Sequence, residues 1–226
     1  ASLELRPLSA DGPGNADEAI VTDPASKLFV IAAPSGAGKT TLVQAITRNN
    51  PELRFSISYT TRSQRRNEAH GVDYLFVDVD EFDRLRAAGE MLESATVFDN
   101  LYGTSRKQVE EHLADGHSVI LEIDWQGAQQ VRESMPECVT IFIMPPSHDE
   151  LVRRLRSRGT DSDAVIERRL RDALSDMAHW EEFDFVVIND NLDQAVADLE
   201  SVLAGGGEAL ATGNEALRGA LADILR

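Results

Sequence analysis

Short apolar runs rich in Val and Ile alternate along the chain with segments in which apolar residues recur every three or four positions. The runs predict buried strands at 27–33, 118–123, 139–143 and 185–188. The wider spacing predicts helices just after residue 39 and at about 105–115, 127–134, 147–157 and 164–180. Strands that alternate with helices in this way are typical of a parallel sheet with right-handed crossovers, so we expect an α/β protein.

The stretch 52–104 interrupts this alternation. It contains a polar–apolar alternation that begins at Phe55, a basic loop and a short helical pattern near 79–88. We therefore expect a small mixed α+β subdomain inserted into the α/β core. The core would then comprise residues 27–51, 105–152 and 180–204.

The two ends of the chain have different patterns. Residues 1–26 combine three prolines and five acidic residues with one arginine and show no sustained period, which predicts a flexible leader. A short strand or a partner-binding segment is the alternative there. At the other end, residues 205–226 begin with three glycines, which predict a flexible hinge. The spacing of Leu217 and Leu221 then predicts a C-terminal helix that packs on the body or on another copy, as in a homo-oligomer.

Charge and composition exclude several classes of protein. The 226 residues contain 22 Lys and Arg against 39 Asp and Glu, a formal net charge of −17. A broad surface of that sign repels nucleic-acid backbones and argues against a nucleic-acid partner. No apolar run approaches the ~20 residues of a bilayer-spanning helix, which argues against a membrane protein. The single cysteine, Cys138, allows no internal disulfide and fits a reducing cytoplasm.

Residues 33–40 match a phosphate-binding P-loop, except that Ala33 stands in the place of the first glycine. Because the motif follows a predicted strand and precedes a predicted helix, a phosphate cradle is favoured over a plain glycine-rich turn. The glycines let backbone N–H groups turn toward phosphate oxygens, and the helix dipole adds to the attraction. Lys39 would reach the β- and γ-phosphates, and Thr40 would offer its hydroxyl to magnesium.

A P-loop at residues 33–40 makes a phosphate-related role more plausible for two further groups of polar residues. Glu122 and Asp124 end the predicted strand at 118–123, and in P-loop proteins such carboxylates face the magnesium ion. Three arginines at 62, 65 and 66 share a turn-rich loop with several hydroxyl side chains. Guanidinium groups match phosphate oxygens bidentately, so this loop could clamp a phosphate, although a solvated basic loop is an equal alternative.

Glu93 and Thr104 could read a guanine base. A carboxylate accepts hydrogen bonds from the ring N–H and the exocyclic amine of guanine, and a hydroxyl donates to its O6 atom. Adenine has the opposite pattern of donors and acceptors and would leave buried polar groups unmatched. Taken alone, each of the two residues is ordinary, since a lone Glu on a strand is usually at the surface.

Together these segments resemble the guanylate kinase family of P-loop nucleoside monophosphate kinases. The matching runs span about residues 27–204 and are APSGAGKTTL, TTR-SQRRNE-AHGVDY-FV, MLESATVFDNLYGT, LEIDWQGAQQV, IFIMPPS, LVRRLRSRGTDSDAVIERRL and VVINDNLDQA. The resemblance implies an α/β, three-layer P-loop fold with a central parallel sheet. It also implies a nucleoside-monophosphate-binding subdomain at 52–104, a helical lid at 153–179, and phosphoryl transfer from ATP to GMP with magnesium.

The resemblance assigns roles to individual residues. ATP would be bound by Ala33, Pro34, Ser35, Gly36, Ala37, Gly38, Lys39, Thr40, Thr41 and Asn189. GMP would be bound by Ser58, Arg62, Arg65, Glu68, Tyr74, Glu93, Tyr102, Thr104 and Asp124. Catalysis would fall to Lys39, Arg62, Arg154, Arg158 and Arg169, of which the last three would close on the polyphosphate as part of the lid. Thr40 would be the metal-binding residue. The other lid arginines, Arg153, Arg168 and Arg171, fit exposed salt bridges.

Two alternatives of different kinds stay open at this point. The first is a P-loop kinase for another nucleoside monophosphate or for a phosphorylated sugar, which would not need the pairing of Glu93 with Thr104. The second is a non-catalytic guanylate-kinase-like interaction module. Such modules typically have a degraded P-loop, whereas the glycines, Lys39 and Thr40 are all present here.

Overall fold

The computed structural model describes residues 26–97, 99–157 and 162–226. In chain order, the strands are β1 (Leu28–Ala32), β2 (Arg54–Phe55), β3 (Tyr59–Thr60), β4 (Leu75–Phe76), β5 (Met91–Val97), β6 (Asn100–Ser105), β7 (Val119–Glu122), β8 (Val139–Met144) and β9 (Phe185–Ile188). The helices are α1 (Lys39–Asn49), α2 (Val79–Ala87), α3 (Arg106–Ala114), α4 (Trp125–Ser134), α5 (His148–Ser157), α6 (Asp163–Met177), α7 (Leu192–Leu203) and α8 (Glu215–Ile224). Short 3-10 turns follow α6 at Ala178–Glu182 and precede α8 at Glu208–Leu210.

The larger sheet is parallel throughout and has the strand order β2-β7-β1-β8-β9. Every residue of β1 is buried, as expected for a strand that is covered on both faces. Its residues alternate between two hydrophobic clusters: Val30 packs in one, and Phe29 and Ile31 pack in the other. The sheet is therefore the middle layer of three, which confirms the predicted α/β fold with a central parallel sheet.

The helices form the two outer layers. On one face of the sheet, α1 and α7 pack side by side through residues such as Leu42 and Leu199. On the other face, buried side chains from α3, α4, α5, α6 and α8 share a single cluster with the opposite faces of the strands. No helix within the described ranges is both long enough and apolar enough to cross a membrane.

The insert is built on a second sheet with the order β4-β3-β6-β5. β3 pairs in parallel with β4, whereas the β3–β6 and β5–β6 pairs are antiparallel. Helix α2 covers this sheet through Phe82 and Leu85, and the side chain of Asp78 caps its first turn by accepting from the Glu81 N–H at 2.8 Å. The prediction placed the insert from residue 52, but Arg54–Phe55 forms the β2 edge of the larger sheet. A two-residue strand leaves no period in the sequence that could have shown this.

The C-terminal segment packs on the body of the same chain. Leu217 and Leu221 of α8 are buried in one cluster with Trp180 and Phe183. The structure therefore has the first of the two packing arrangements that the sequence allowed. The three glycines before α8 form a turn in which the Gly205 N–H donates to the Val202 carbonyl and the Gly206 N–H donates to the Ser201 carbonyl. This turn ends α7, and the predicted hinge motion stays a prediction.

Beyond that turn, the chain runs past the outer strand of the larger sheet. Ala211 forms an isolated antiparallel bridge with Phe185 of β9, and the Thr212 N–H donates to the Asp184 carbonyl at 3.0 Å. Arg218 of α8 then reaches back to the 3-10 turn, where it pairs with Glu181 and stacks on the Trp180 ring at 5.1 Å. These contacts fix α8 next to the end of α6.

Candidate functional site

A cleft of about 630 Å³ lies where the P-loop, the end of β7, the inserted sheet and α6 meet. Its position at the carboxyl ends of parallel strands is the usual place for a ligand in an open α/β sheet. Of the residues predicted to act, the cleft is lined by Ala33, Pro34, Ser35, Gly36, Gly38, Lys39, Thr40, Thr41, Ser58, Arg62, Arg65, Tyr74, Glu93, Tyr102 and Asp124. The structure thus brings the two predicted nucleotide sites together in one cleft.

The P-loop turns from β1 into α1 through two glycines with positive φ. Gly36 and Gly38 both have φ of 93°, a conformation that side chains other than glycine rarely adopt. A Cβ at Gly38 would also lie 2.4 Å from Nδ2 of Asn189. Helix α1 begins at the next residue, so its N-terminal amides face the cleft beside the loop.

Lys39 lies among four carboxylates. Its Nζ donates to the carbonyl oxygen of Ile123 at 2.6 Å, which joins the P-loop to the end of β7. Burial lowers the pKa of the Lys39 ammonium, while the nearby carboxylates of Glu122, Asp124, Asp176 and Glu93 oppose that change by favouring the charged form. Burial has the larger effect, so the pKa of Lys39 lies below its ordinary value.

Thr40 and Glu122 are joined directly. The Thr40 hydroxyl donates to Oε1 of Glu122 at 2.6 Å, so the hydroxyl hydrogen points at the carboxylate and the oxygen lone pairs stay available. Within the described ranges, no three His, Cys, Asp or Glu side chains converge as a metal-binding group. A metal at this point would take few ligands from the protein itself.

On the opposite wall, Glu68 holds Arg62 in a bidentate pair. The Arg62 guanidinium donates to the two Glu68 oxygens at 2.8 and 3.0 Å, and the Arg65 backbone N–H donates to the same carboxylate at 2.8 Å. The Arg62 hydrogen bond holds the pKa of the Glu68 carboxyl below its ordinary value. Arg62 also lies 5.3 Å from the centre of the Tyr74 ring. Glu68 does not line the cleft but orients a residue that does.

Glu93 is a buried carboxylate at the floor of the cleft. Only 4% of the residue is exposed, and the Thr104 hydroxyl donates to its Oε1 at 2.7 Å. Burial raises the pKa of Glu93 to about 7. Thr104 is fully buried and does not line the cleft, so in this structure its hydroxyl serves Glu93. Asp124 does line the cleft, and its Oδ1 caps α4 by accepting from the Gly127 N–H at 2.8 Å.

The predicted lid arginines reach the P-loop from behind the cleft. Arg154 of α5 donates to the carbonyl oxygens of Ala37 and Asn189 at 3.2 and 2.9 Å. Arg169 of α6 donates to the Ser35 hydroxyl at 2.9 Å. Ala37 and Asn189, both predicted to bind ATP, do not line the cleft. The two arginines do not line it either. The third predicted lid arginine, Arg158, lies outside the described residues.

Helix α6 also contributes residues that the sequence did not assign. These are Asp172, Ser175 and Asp176, which line the cleft. Arg168, predicted to form an exposed salt bridge, pairs with Asp172 at 3.9 Å and lines the cleft as well. Asp176 accepts a hydrogen bond from the indole of Trp125 at 3.0 Å, and burial raises its pKa. Trp125 lines the cleft as well and stacks on His179 with ring centres 3.4 Å apart. The available signal was spacing, since Asp172 and Ser175 follow Arg168 by four and seven positions on one helix face.

Comparison with known proteins places this geometry in a family. The family model for guanylate kinase matches residues 25–205. Guanylate kinase from Hydrogenovibrio crunogenus is 52% identical over 187 residues, covering 83% of this chain and 91% of the relative. Guanylate kinase from Alkalilimnicola ehrlichii is 49% identical over 198 residues, covering 88% and 98% respectively. A guanylate kinase crystal structure from Anaplasma phagocytophilum matches with a TM-score of 0.68 at 34% identity, covering 82% of this chain and 88% of that one. The chain belongs to the guanylate kinase family.

Proposed function

We propose that the chain transfers the γ-phosphoryl group of ATP to the phosphate of GMP, giving ADP and GDP for guanine nucleotide metabolism. The observation that carries this proposal is that one cleft has a P-loop on one wall and Arg62 with the buried Glu93 on the other. Each wall has the charge and the donors that one of the two nucleotides requires. Membership of the guanylate kinase family supports the same reaction.

The P-loop wall suits the phosphates of ATP. Successive backbone N–H groups and the start of α1 offer partial positive charge, and Lys39 adds a full one. In the reaction, an oxygen of the GMP phosphate bonds to the γ-phosphorus as the bond to the β–γ bridging oxygen breaks. The protein then has to align the two nucleotides and neutralise charge on the transferred group, and no covalent intermediate with a side chain is needed.

The opposite wall suits GMP. Arg62, oriented by Glu68, would bind the GMP phosphate through two parallel hydrogen bonds. Further contacts to that phosphate would come from Ser58, Arg65, Tyr74 and Tyr102. The ionised Glu93 carboxylate would accept from the ring N–H and the exocyclic amine of guanine, and Asp124 would lie beside it. Because the Thr104 hydroxyl donates to Glu93, Thr104 would support guanine binding by holding that carboxylate in place.

Thr40 at the start of α1 and Glu122 at the end of β7 fit magnesium. Thr40 and Glu122 supply the hard oxygen atoms that this ion prefers, and the small number of protein ligands suits an ion that keeps water and phosphate oxygens in its shell. Thr40 would hold the ion through its hydroxyl oxygen, and Glu122 orients that hydroxyl. When bound, magnesium would neutralise charge on the ATP phosphates.

We further propose that residues 153–179 act as a lid and that the reaction takes place in the cytoplasm, without a nucleic-acid or membrane partner. Arg154 and Arg169 already touch the P-loop, and closure of the lid would bring their guanidinium groups toward the polyphosphate. The one cysteine, Cys138, is a buried free thiol, which suits a reducing compartment.

A coupled assay of ADP release tests the reaction. ATP and magnesium are held constant while GMP, AMP, CMP, UMP or a phosphorylated sugar is offered as the acceptor. We expect ADP release that depends on GMP, with at least about 100-fold lower kcat/KM for AMP, because a site built to hydrogen-bond one base leaves its polar groups unpaired with another. Absence of GMP-dependent turnover in the purified full chain would refute the proposal.

A further inference from the structure

Gly127 lies directly under the two carboxylates that line the base end of the cleft. It is the third residue of α4. A Cβ at this position would be 2.7 Å from Oε2 of Glu93 and 3.2 Å from Oδ1 of Asp124. Real Cβ atoms essentially never approach another heavy atom to 2.7 Å. The space that any other residue would fill is therefore taken by the Glu93 carboxylate.

The backbone itself gives no reason for a glycine here. Gly127 is absent from the glycines of positive φ, and it lies within a regular helix. A glycine in a helix costs about 0.5–1 kcal/mol relative to alanine, so α4 alone would favour a residue with a side chain. The close approach of Glu93 is the remaining structural reason for it.

Glu93 cannot easily give way. Its Oε1 is held by the Thr104 hydroxyl at 2.7 Å, and the residue is buried on all but the cleft side. A methyl group on residue 127 would displace the Glu93 carboxylate. The carboxylate would then either lose its hydrogen bond from Thr104 or move into the space that the edge of the guanine base would occupy. Both movements shift an acceptor by several tenths of an ångström, and hydrogen bonds weaken quickly with such shifts.

We propose that Gly127 is a positioning residue for guanine recognition, because its missing side chain lets Glu93 lie flat against the start of α4 with Oε2 free to accept from the base. The proposal rests on the proposed function above, in which Glu93 reads guanine. Gly127 itself need not touch the nucleotide. Its effect is transmitted through Glu93.

The test compares Gly127→Ala with Gly219→Ala, a helical glycine of α8 where a Cβ would meet nothing within 4 Å. The acceptors are GMP and inosine monophosphate, which lacks the exocyclic amine. For Gly127→Ala we expect kcat/KM with GMP to fall at least about tenfold. The ratio of kcat/KM for GMP to kcat/KM for inosine monophosphate should also fall, and KM for ATP should stay within about twofold of the wild-type value. Gly219→Ala should change none of the three quantities.

A double-mutant cycle separates this role from a general structural one. If Gly127 acts through Glu93, Gly127→Ala should add little to the loss of guanine preference already caused by Glu93→Gln. Fully additive losses, or an unchanged preference in Gly127→Ala, overturn the proposal. Absence of GMP turnover in the wild-type chain instead refutes the proposed function, so the two failures are distinguishable.

Thermal unfolding covers the case in which Gly127→Ala folds poorly. Truncation of the clashing side chain should relieve the contact, so Gly127→Ala should lower the Tm less in a Glu93→Ala background than in the wild-type background. If Gly127→Ala changes the Tm equally in both backgrounds, Gly127 serves the helix and not Glu93, and the proposal is wrong.

Discussion

The side-chain amide of Asn189 donates a hydrogen bond of 2.7 Å to the carbonyl oxygen of Ala37, joining the end of β9 to the P-loop. Arg154 donates to the same oxygen at 3.2 Å. Because the C=O and N–H groups of a trans peptide point in opposite directions, a carbonyl held toward Asn189 turns the N–H of Gly38 toward the cleft. Asn189 therefore orients the Gly38 amide of the P-loop.

Asn189→Ala should raise KM for ATP several-fold and leave KM for GMP nearly unchanged. The variant leaves a buried carbonyl with one donor fewer, so stability should also fall by about 1–2 kcal/mol. Steady-state kinetics and urea unfolding measure both. Asn214→Ala is the matched control: it removes the cap of α8, where Asn214 accepts from the Ala216 and Leu217 N–H groups, at a similar cost of about 1 kcal/mol. Equal KM values for ATP in the two variants would contradict the role given to Asn189.

Lys39→Met should lower kcat at least about 100-fold while GMP binding changes little. The variant keeps most of the side-chain volume but removes the cation that balances four carboxylates beside the cradle. Turnover is measured in the coupled assay and GMP binding by calorimetry. Lys107→Met, with a side chain that is 82% exposed on α3, is the control and should behave like the wild type. A similar kcat for both variants would exclude Lys39 from the chemistry.

The acid limb of the kcat/KM profile for GMP should have an apparent pKa near 7. Glu93 must be ionised to accept two hydrogen bonds from guanine, and its pKa in the free protein is about 7. GMP utilisation should therefore weaken as the pH falls below about 7. The GMP phosphate also titrates, near pH 6, so the profile of Glu93→Gln identifies the limb that belongs to Glu93. An unchanged acid limb in Glu93→Gln would assign it to another group.

The same raised pKa means that Glu93 lowers the stability of the folded protein at high pH. The folded-state pKa of about 7 lies above the ordinary pKa of 4.5 for a Glu side chain, so the native state binds the extra proton between these two pH values. The unfavourable contribution of Glu93 to stability is thus complete above pH 7 and disappears below about pH 4.5. Glu93→Gln should raise the Tm at pH 8, and the gain should shrink as the pH falls toward 5. A gain that does not depend on pH would contradict this.

Glu68→Gln should raise KM for GMP several-fold with a smaller effect on KM for ATP. The change removes the negative charge that pairs with the Arg62 guanidinium. Arg62 can then adopt other rotamers, in which its guanidinium no longer faces the GMP phosphate. Glu81→Gln provides the control, since Glu81 makes a similar bidentate pair with Arg84 on the exposed face of α2. If both variants have the same KM for GMP, the Arg62–Glu68 pair is only structural.

Leu221→Ala should destabilise the protein by about 2–5 kcal/mol, whereas Leu225→Ala should have little effect. Leu221 is fully buried against the core and Leu225 is 41% exposed, although both lie at the same end of the chain. Urea unfolding of the two variants gives the comparison. Equal free energies of unfolding would mean that α8 does not pack on the body in solution.

The sequence predicted what its local patterns encode. Four strands of the larger sheet could be predicted because strands buried on both faces are continuous apolar runs. The P-loop could be predicted because glycines, Lys39 and Thr40 occur at fixed spacing. The edge strand β2 could not, since its two residues, Arg54 and Phe55, carry no period and are defined only by pairing with β7.

The missed parts of the site depend on contacts between distant segments. Asp176 reaches the cleft because α6 packs beside Trp125, 51 residues away. The side chain of Asn189 faces the Ala37 carbonyl instead of the cleft because β9, two strands away from β1 in the larger sheet, delivers it there, 152 positions from its partner. No spacing within a single element encodes these relationships.

The antiparallel bridge between Ala211 and Phe185 has a consequence for self-association. An open sheet has two edges with unpaired backbone groups, and such edges are templates for pairing with other chains. Here the β2 edge is only two residues long, and the segment before α8 crosses the start of the β9 edge. Within the described residues, neither edge of the larger sheet offers a long run of free amides and carbonyls to a second molecule. Copies of this chain that meet in a concentrated solution would therefore find no long template for strand pairing on this sheet.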